Sequence, residues 1–315
     1  MHFFSRVVLI ALWPSIAFTD QALTSTGPLA YYLVEKAAEP LIIDGRLDDF
    51  PWAKAIQINN LNKQAGDDLR IDLPTQAKML WDDEFFYISF ACQDADIWAM
   101  YENEDDALWE EEVVEIFIDP DGDGENYLEL EVNPLNVVVD LLIYTASPEW
   151  TGSLAWDIAG LKTAVQVYGT VNDSLQIDHG WTVEIAIPWT AMADSVSGGH
   201  RPSGGDVWRL NLYRIERKGG RKIKARIDAL RAQIAPIRAK LATLWQDSED
   251  HDETQLNAVR RKQLANLNKQ QALLDKELSL LQTHSRQQTE FTSWSKLYRR
   301  GFHQPDRFGA VQFVD

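Results

Sequence analysis

The stretch from Ala107 to Asn133, "ALWEEEVVEIFIDPDGDGENYLELEVN", concentrates the groups that could do chemistry. Glu115 sits in one apolar run, Glu129 and Glu131 in the next, and Asp119, Asp121 and Asp123 in the turn between them. Four roles suit carboxylates at this density: a glycosidase acid/base pair, a calcium site, a set of acceptors for sugar hydroxyls, or a solvated sheet edge. If "VVEIFID" pairs with "NYLELEV", the period of two sends Val114, Ile116, Ile118, Leu128, Leu130 and Val132 to one face. The other face then carries Glu115, Tyr127, Glu129, Glu131 and Asn133. Charged acceptors make the stronger hydrogen bonds to ligand hydroxyls.

In the turn, Asp119, Asp121 and Asp123 alternate with Pro120, Gly122 and Gly124. Hard oxygen ligands so spaced suit calcium, and the run resembles the start of an EF-hand loop. That loop needs a bidentate Glu where this chain has Leu130, and no flanking helices are predicted. Calcium held in another loop geometry and an ordinary acidic turn both remain open. Hydrolysis needs two carboxylates about 5 to 10 Å apart in different environments. Glu115 with Glu129 or Glu131 could meet the distance, but the sequence carries no sign of the raised pKa an acid requires. There is no nucleophile elbow, and the six His are scattered at 2, 179, 200, 251, 284 and 303, so no zinc pair forms. The single cysteine, Cys92 in "FFYISFACQD", reads as a buried inert thiol and rules out an internal disulfide.

These groups must be held by strands. "QAKMLWDD", "FFYISFACQD", "VVEIFIDP", "NYLELEVNP", "NVVVDLLIY", "GWTVEIAIPW" and "VWRLNLYRIER" are rich in β-branched and aromatic residues and bounded by Asp, Gly, Asn and Pro. Such short, evenly spaced strands predict a mainly β protein, an antiparallel β-sandwich with one core face and one wetter face. The pattern then changes. Ile223, Ile227, Leu230, Ile234, Ile237, Leu241 and Leu244 recur at spacings of three and four, and Leu264, Leu267, Leu274, Leu278 and Leu281 form a second seam. With the acidic "DSEDHDE" between them, they predict an inserted antiparallel, coiled-coil-like helical hairpin over 218–288. Residues 218–288 carry a net charge of +6 while the rest of the chain carries −24, so the hairpin is compositionally distinct. Strand chemistry returns in "TEFTSWSKLYRRGFHQPDRFGAVQFVD", whose last strand should close the sandwich.

The start, "MHFFSRVVLIALWPSIAFTDQA", has the form of a secretory signal over residues 1–22 and predicts export to the periplasm or outside the cell. No other segment approaches the roughly 18 apolar residues of a membrane helix. A net charge of −18 excludes a nucleic-acid binder or a partner of anionic membranes. Cations and neutral polyols remain as ligands.

The motifs "LIIDGRLDDFPWAKA", "AKMLWDDEFFYISFACQDADIWA", "LWEEEVVEIFIDPDGDGENYLELEVNP", "WDIAGLKTAVQVYGTVNDS", "GWTVEIAIPW" and "TSWSKLYRRGFHQPDRFGAVQF" occur in an order that resembles the family 9 carbohydrate-binding modules. The resemblance runs over 40–217 and from 289 onward, assigning 23–217 plus 289–315 to the sandwich. It implies a non-catalytic protein of polysaccharide catabolism that holds a sugar between two Trp rings, with calcium supporting loops. In the family's motif one sandwiching Trp stands six residues before a ligand-binding Glu, which here are Trp109 and Glu115. The second Trp lies near the terminus, at Trp294. Where the resemblance implies an Arg two residues before an Asn, this chain has Glu131 before Asn133, which removes a fork of donors, so either the sugar differs or the site is repurposed. Trp98, Trp150 and Trp156 lie in loop contexts as reserve platforms, while Trp52 and Trp181 read as structural. Two alternatives stand beside sugar binding: an interaction protein acting through residues 219–287, as a homodimer or with another protein, and a glycoside hydrolase depending on Glu115.

Overall fold

The segments rich in β-branched and aromatic residues are strands, and the two heptad-like runs are helices. The computed structural model describes residues 27–63, 72–246 and 258–315. The expected signal segment and the acidic turn at 247–253 lie outside the described residues. The strands are β1 (Tyr31–Lys36), β2 (Asn62–Lys63), β3 (Thr75–Trp81), β4 (Phe85–Gln93), β5 (Val113–Asp119), β6 (Glu125–Val132) and β7 (Val138–Thr145). They continue as β8 (Thr151–Ser153), β9 (Lys162–Tyr168), β10 (Gly180–Pro188), β11 (Val207–Arg217), β12 (Thr289–Ser293) and β13 (Gly309–Val314). Short helices α1 (Phe50–Lys54) and α2 (Trp189–Met192) precede the long α3 (Gly220–Gln246) and α4 (Ala258–Gln287).

Hydrogen bonds link the strands in the order β8-β7-β6-β5-β11-β13-β1-β3-β4-β10-β9, with β12 on β11 and β2 on β12. The path folds over on itself as a sandwich. Val114, Ile116, Ile118, Leu128, Leu130 and Leu212 from one half meet Met79, Phe86, Ile88, Val183 and Ile185 from the other in the main core. The pairing is antiparallel except at β1, which runs parallel to both β13 and β3. A parallel neighbour requires a crossover of a dozen or more residues, and the chain between β1 and β3 supplies it.

The opposite face of β5, β6 and β11 is not the wet face that alternation predicted. Phe117, Tyr127, Leu141, Tyr213 and Ile215 pack there with Leu297, Phe302 and Phe308, so the segment between β12 and β13 covers it. Every residue of β5 is buried as a result.

α3 and α4 lie between β11 and β12, which pair with each other from Arg217↔Thr289 to Tyr213↔Ser293. Arg226 with Glu277, and Arg238 with Asp275 at 3.1 Å, mark the helices as antiparallel. Ile237, Leu241 and Leu264 form their seam, and α3 continues through Pro236. At the base, Gly220 sits where a Cβ would come within 2.5 Å of the Trp98 ring, so only glycine allows this close docking. Lys224 and Arg231 then reach Glu110 on the sandwich at 3.3 and 3.1 Å. Among the described residues no helix is long and apolar enough to cross a membrane.

Candidate functional site

A cavity of about 980 Å³ opens on the covered face of the sheet. Its floor is made by β5, β6, β7 and β11, through Glu115, Phe117, Glu129, Glu131, Leu141 and Ile215. Trp109 forms part of one wall, and Trp150 lies in another with its ring stacked on His303, centroids 5.0 Å apart at 18°. β12 and the last turn of α4 complete the lining with Glu290, Phe291, Arg286 and Gln287. The inserted hairpin thus contributes directly to the cavity.

The register explains the floor. Glu115 pairs with Glu131 across β5 and β6, and Phe117 with Glu129, so the three carboxylates project from one face. They are only 3%, 6% and 1% exposed for Glu115, Glu129 and Glu131. One oxygen from each lies within 4.8 Å of the others. Glu115 Oε1, Glu129 Oε2 and Glu131 Oε2 have no hydrogen-bond partner. Burial pushes all three carboxyls toward their protonated forms, Glu129 to about 8, and mutual repulsion adds to this at Glu115 and Glu131. Arg217, itself largely buried, partly offsets the rise at Glu115. His303 shares a 2.7 Å hydrogen bond between Nδ1 and Tyr127 Oη, and burial lowers its pKa to about 4, so it is uncharged near neutral pH. On the rim, Lys218 is held by Glu290 at 2.8 Å and Asp72 at 2.6 Å.

Trp109, Glu115 and Glu131 therefore meet in one cavity, but two other expected residues do not. Trp294 is 7% exposed and packs in the main core, edge-on to Tyr32 with centroids 6.4 Å apart. Its ring occupies space left by Gly309, where a Cβ would come within 2.4 Å. It is a core residue rather than a platform. Asn133 is fully buried and committed internally: Nδ2 donates to Tyr101 O and Glu111 Oε1, and Oδ1 accepts from Leu135 and Val137 N–H. It ties the β6–β7 connection to the chain before β5 and offers nothing to a ligand. Of the reserve aromatics, Trp98 is buried beneath the hairpin and Trp156 packs against the core. Trp150, 49% exposed, is the indole that joins Trp109, 40% exposed, in the cavity. Glu129 follows from its period-two relation to Glu131 and Trp150 from its loop context among the reserve aromatics, whereas His303 lies in a loop with no pattern to single it out. Cys92 is buried and its thiol pushed up to about 12, as an inert core thiol requires.

The acidic turn is a separate cluster. Asp119 accepts N–H bonds from Gly122 and Gly124, both at 3.0 Å, and Asp123 accepts one from Glu125 at 2.8 Å. One oxygen each of Asp119, Asp121 and Asp123 falls within 4.8 Å of the others. Burial raises the Asp119 carboxyl to about 6. A donor set of hard carboxylate oxygens, two of them on exposed side chains, fits calcium chemically, with the remaining ligands to come from water or loop carbonyls.

Comparison with known proteins agrees with this architecture. A segment of 151 residues is 28% identical to the exoglucanase XynX of Acetivibrio thermocellus, covering 48% of this chain and 12% of that protein. Another, of 111 residues, is 31% identical to an extracellular protein of Arthroderma benhamiae, covering 35% of this chain and 47% of that one. The chain thus spans less than half the length of either relative. Among solved structures, a candidate carbohydrate-binding protein of Bacteroides uniformis superposes with a TM-score of 0.54 at 14% identity, over 91% of this chain and all of that one, a likeness of fold. A family 9 carbohydrate-binding module of Caldicellulosiruptor kristjanssonii in complex with cellotriose gives a TM-score of 0.47 at 14% identity, over 90% and 93% of the two chains. The family model for carbohydrate family 9 binding domain-like proteins matches residues 43–207, and by that match over half its length the chain belongs to this family.

Proposed function

We propose that the protein is an exported, non-catalytic carbohydrate-binding protein whose ligand enters the cavity between Trp109 and Trp150 and is fixed by the carboxylates of its floor. The observation that carries this reading is the coincidence, in one cavity, of two half-exposed indoles with buried acceptors that lack partners. A pyranose has apolar C–H faces that suit indoles and equatorial hydroxyls that need polar groups around them. Family membership and the relatives' names, an exoglucanase and an extracellular protein, support a sugar ligand, export and a role in polysaccharide catabolism. Calcium at Asp119, Asp121 and Asp123 would brace the β5–β6 turn, away from the cavity floor.

Binding rather than hydrolysis is supported by membership of a binding-domain family. The raised carboxyls of Glu115, Glu129 and Glu131 are also what a general acid needs, so the test includes hydrolysis. The test is titration of intrinsic Trp fluorescence and isothermal calorimetry with a panel of oligosaccharides. Saturable binding weakened in Trp109→Ala supports the reading; no binding across the panel defeats it, and release of reducing sugar would convert it to an enzyme. A second role is favoured by α4, where Val259, Leu273 and Leu280 are exposed at spacings of seven or fourteen residues, a stripe suited to a second copy or another protein. Leu273→Glu with Leu280→Glu should then lower the mass seen by size-exclusion light scattering or abolish partner capture.

A further inference from the structure

We propose that the floor of the cavity is a cation seat, in which Glu115, Glu129 and Glu131 hold the ammonium of a sugar bearing a free primary amine. This rests on the sugar-binding reading above and names the class of sugar. A neutral sugar needs no more than ordinary donors and acceptors, whereas this floor gathers three acids, each with a buried oxygen that accepts no bond from a protein N–H or hydroxyl. Burial pushes them toward the protonated form, with Glu129 and Glu131 hydrogen-bonded to each other, and an ammonium would displace those protons. Leaving such groups buried and unpaired is costly, so their retention in a cavity asks for a ligand that pairs them. An ammonium offers three N–H donors. Bonded at about 2.8 Å along tetrahedral directions, it spaces its acceptors roughly 4.6 Å apart. One oxygen of each of the three acids lies within 4.8 Å of the others, close enough for a single ammonium to reach all three residues.

The surroundings favour a monocation over a divalent metal. Phe117, Leu141, Ile215 and Phe302 line the same cavity as the acids, while further oxygen-bearing side chains, Gln287, Gln288, Thr289 and Glu290, come from the end of α4 and from β12 rather than from the floor strands. Aromatic faces suit an ammonium. His303, 3.7 Å from Glu129 Oε2, is uncharged near neutral pH and does not fill the seat itself.

The experiment is calorimetric titration of the full protein with four probes: the fully deacetylated glucosamine trimer, its N-acetylated counterpart, cellotriose, and calcium chloride alone. The pH is held below the pKa of the amine. A charge-assisted seat predicts at least about 10-fold tighter binding of the deacetylated trimer than of the other two sugars. That ratio should collapse in Glu131→Gln, with Glu129→Gln as a second variant should the first fail to fold. Cellotriose or the acetylated trimer binding as tightly as the amine overturns the inference and leaves the sugar-binding reading standing. No binding of any sugar overturns both. Saturable calcium binding lost in Glu131→Gln reassigns the seat to a metal and also overturns it, as does a preference for the amine that survives both variants.

Discussion

Replacing Glu129 by Gln removes one buried titratable group while keeping its shape, and the structure sets the sign and size of the result. In the folded protein burial holds the Glu129 carboxyl at about 8, against an ordinary value of 4.5. Below 4.5 both folded and unfolded chains carry the proton and the group makes no pH-dependent contribution. Between 4.5 and about 8 the unfolded chain releases the proton that the folded chain keeps, so stability falls as pH rises. Each unit of separation is worth about 1.4 kcal/mol, so the whole interval amounts to roughly 5 kcal/mol. His303 runs the other way: lowered from 6.5 to about 4, it stays neutral when folded and adds stability as pH rises between those values. Between pH 6.5 and 8 His303 no longer contributes, while Glu115, Glu131 and Glu216 run in the same direction as Glu129, so the contribution of Glu129 is read as the difference between variant and parent. Urea unfolding of the ligand-free protein at steps across that window should give a falling stability, and Glu129→Gln should flatten the slope by up to about 1.4 kcal/mol per pH unit. At pH 8 the variant should be the more stable protein. A variant with the parent's slope, or less stable than the parent at pH 8, would refute the claim that burial holds this carboxyl protonated in the folded state.

Four further outcomes follow from the same geometry. Trp109→Ala should weaken sugar binding by about 10-fold or more through lost ring contact, with little change in the melting temperature, since the indole is half-exposed. Trp294→Ala should do the reverse, costing about 3–5 kcal/mol of stability by opening a cavity in the core while the folded fraction binds as before, both read by thermal melts with calorimetry. Asn133→Ala should cost about 2 kcal/mol or more in urea unfolding, because it strands the Leu135 and Val137 amides and the Glu111 carboxylate together. Calcium should raise the melting temperature of the parent but not of Asp121→Asn with Asp123→Asn, and an equal shift in both would remove the acidic turn from consideration.

Periodicity carried much of this fold, and its failures have physical causes. The shared face of Glu115, Glu129 and Glu131 followed from a period of two, and the helical seam from Ile237, Leu241 and Leu264. The burial of that face did not follow, because its cover, Leu297 to Phe308, comes from a distant segment with no regular pattern. Motif position favoured Trp294, yet the missing side chain at Gly309 draws that indole inward. Trp150 reaches the cavity only through the turn of the β7–β8 connection, which local pattern does not encode. Asn133 lay on the expected face by alternation, but β6 ends at Val132 and the amide serves the turn that follows.

Finally, the two ends of the helical hairpin leave from neighbouring strands. Lys218 N–H bonds Gln288 O at 3.2 Å, just beyond the paired Arg217 and Thr289. Seen from the sheet, all of α3 and α4 is a single strand-to-strand connection, whose ends need only span the roughly 5 Å between adjacent strands. Doubling the length of such a connection adds only about 0.6 kcal/mol of closure cost. The position is thus a natural graft point: a helical pair of another length could be exchanged there with the ladder intact. Because the last turn of α4 also lines the cavity, each exchange would redraw the ligand's entrance without touching the floor.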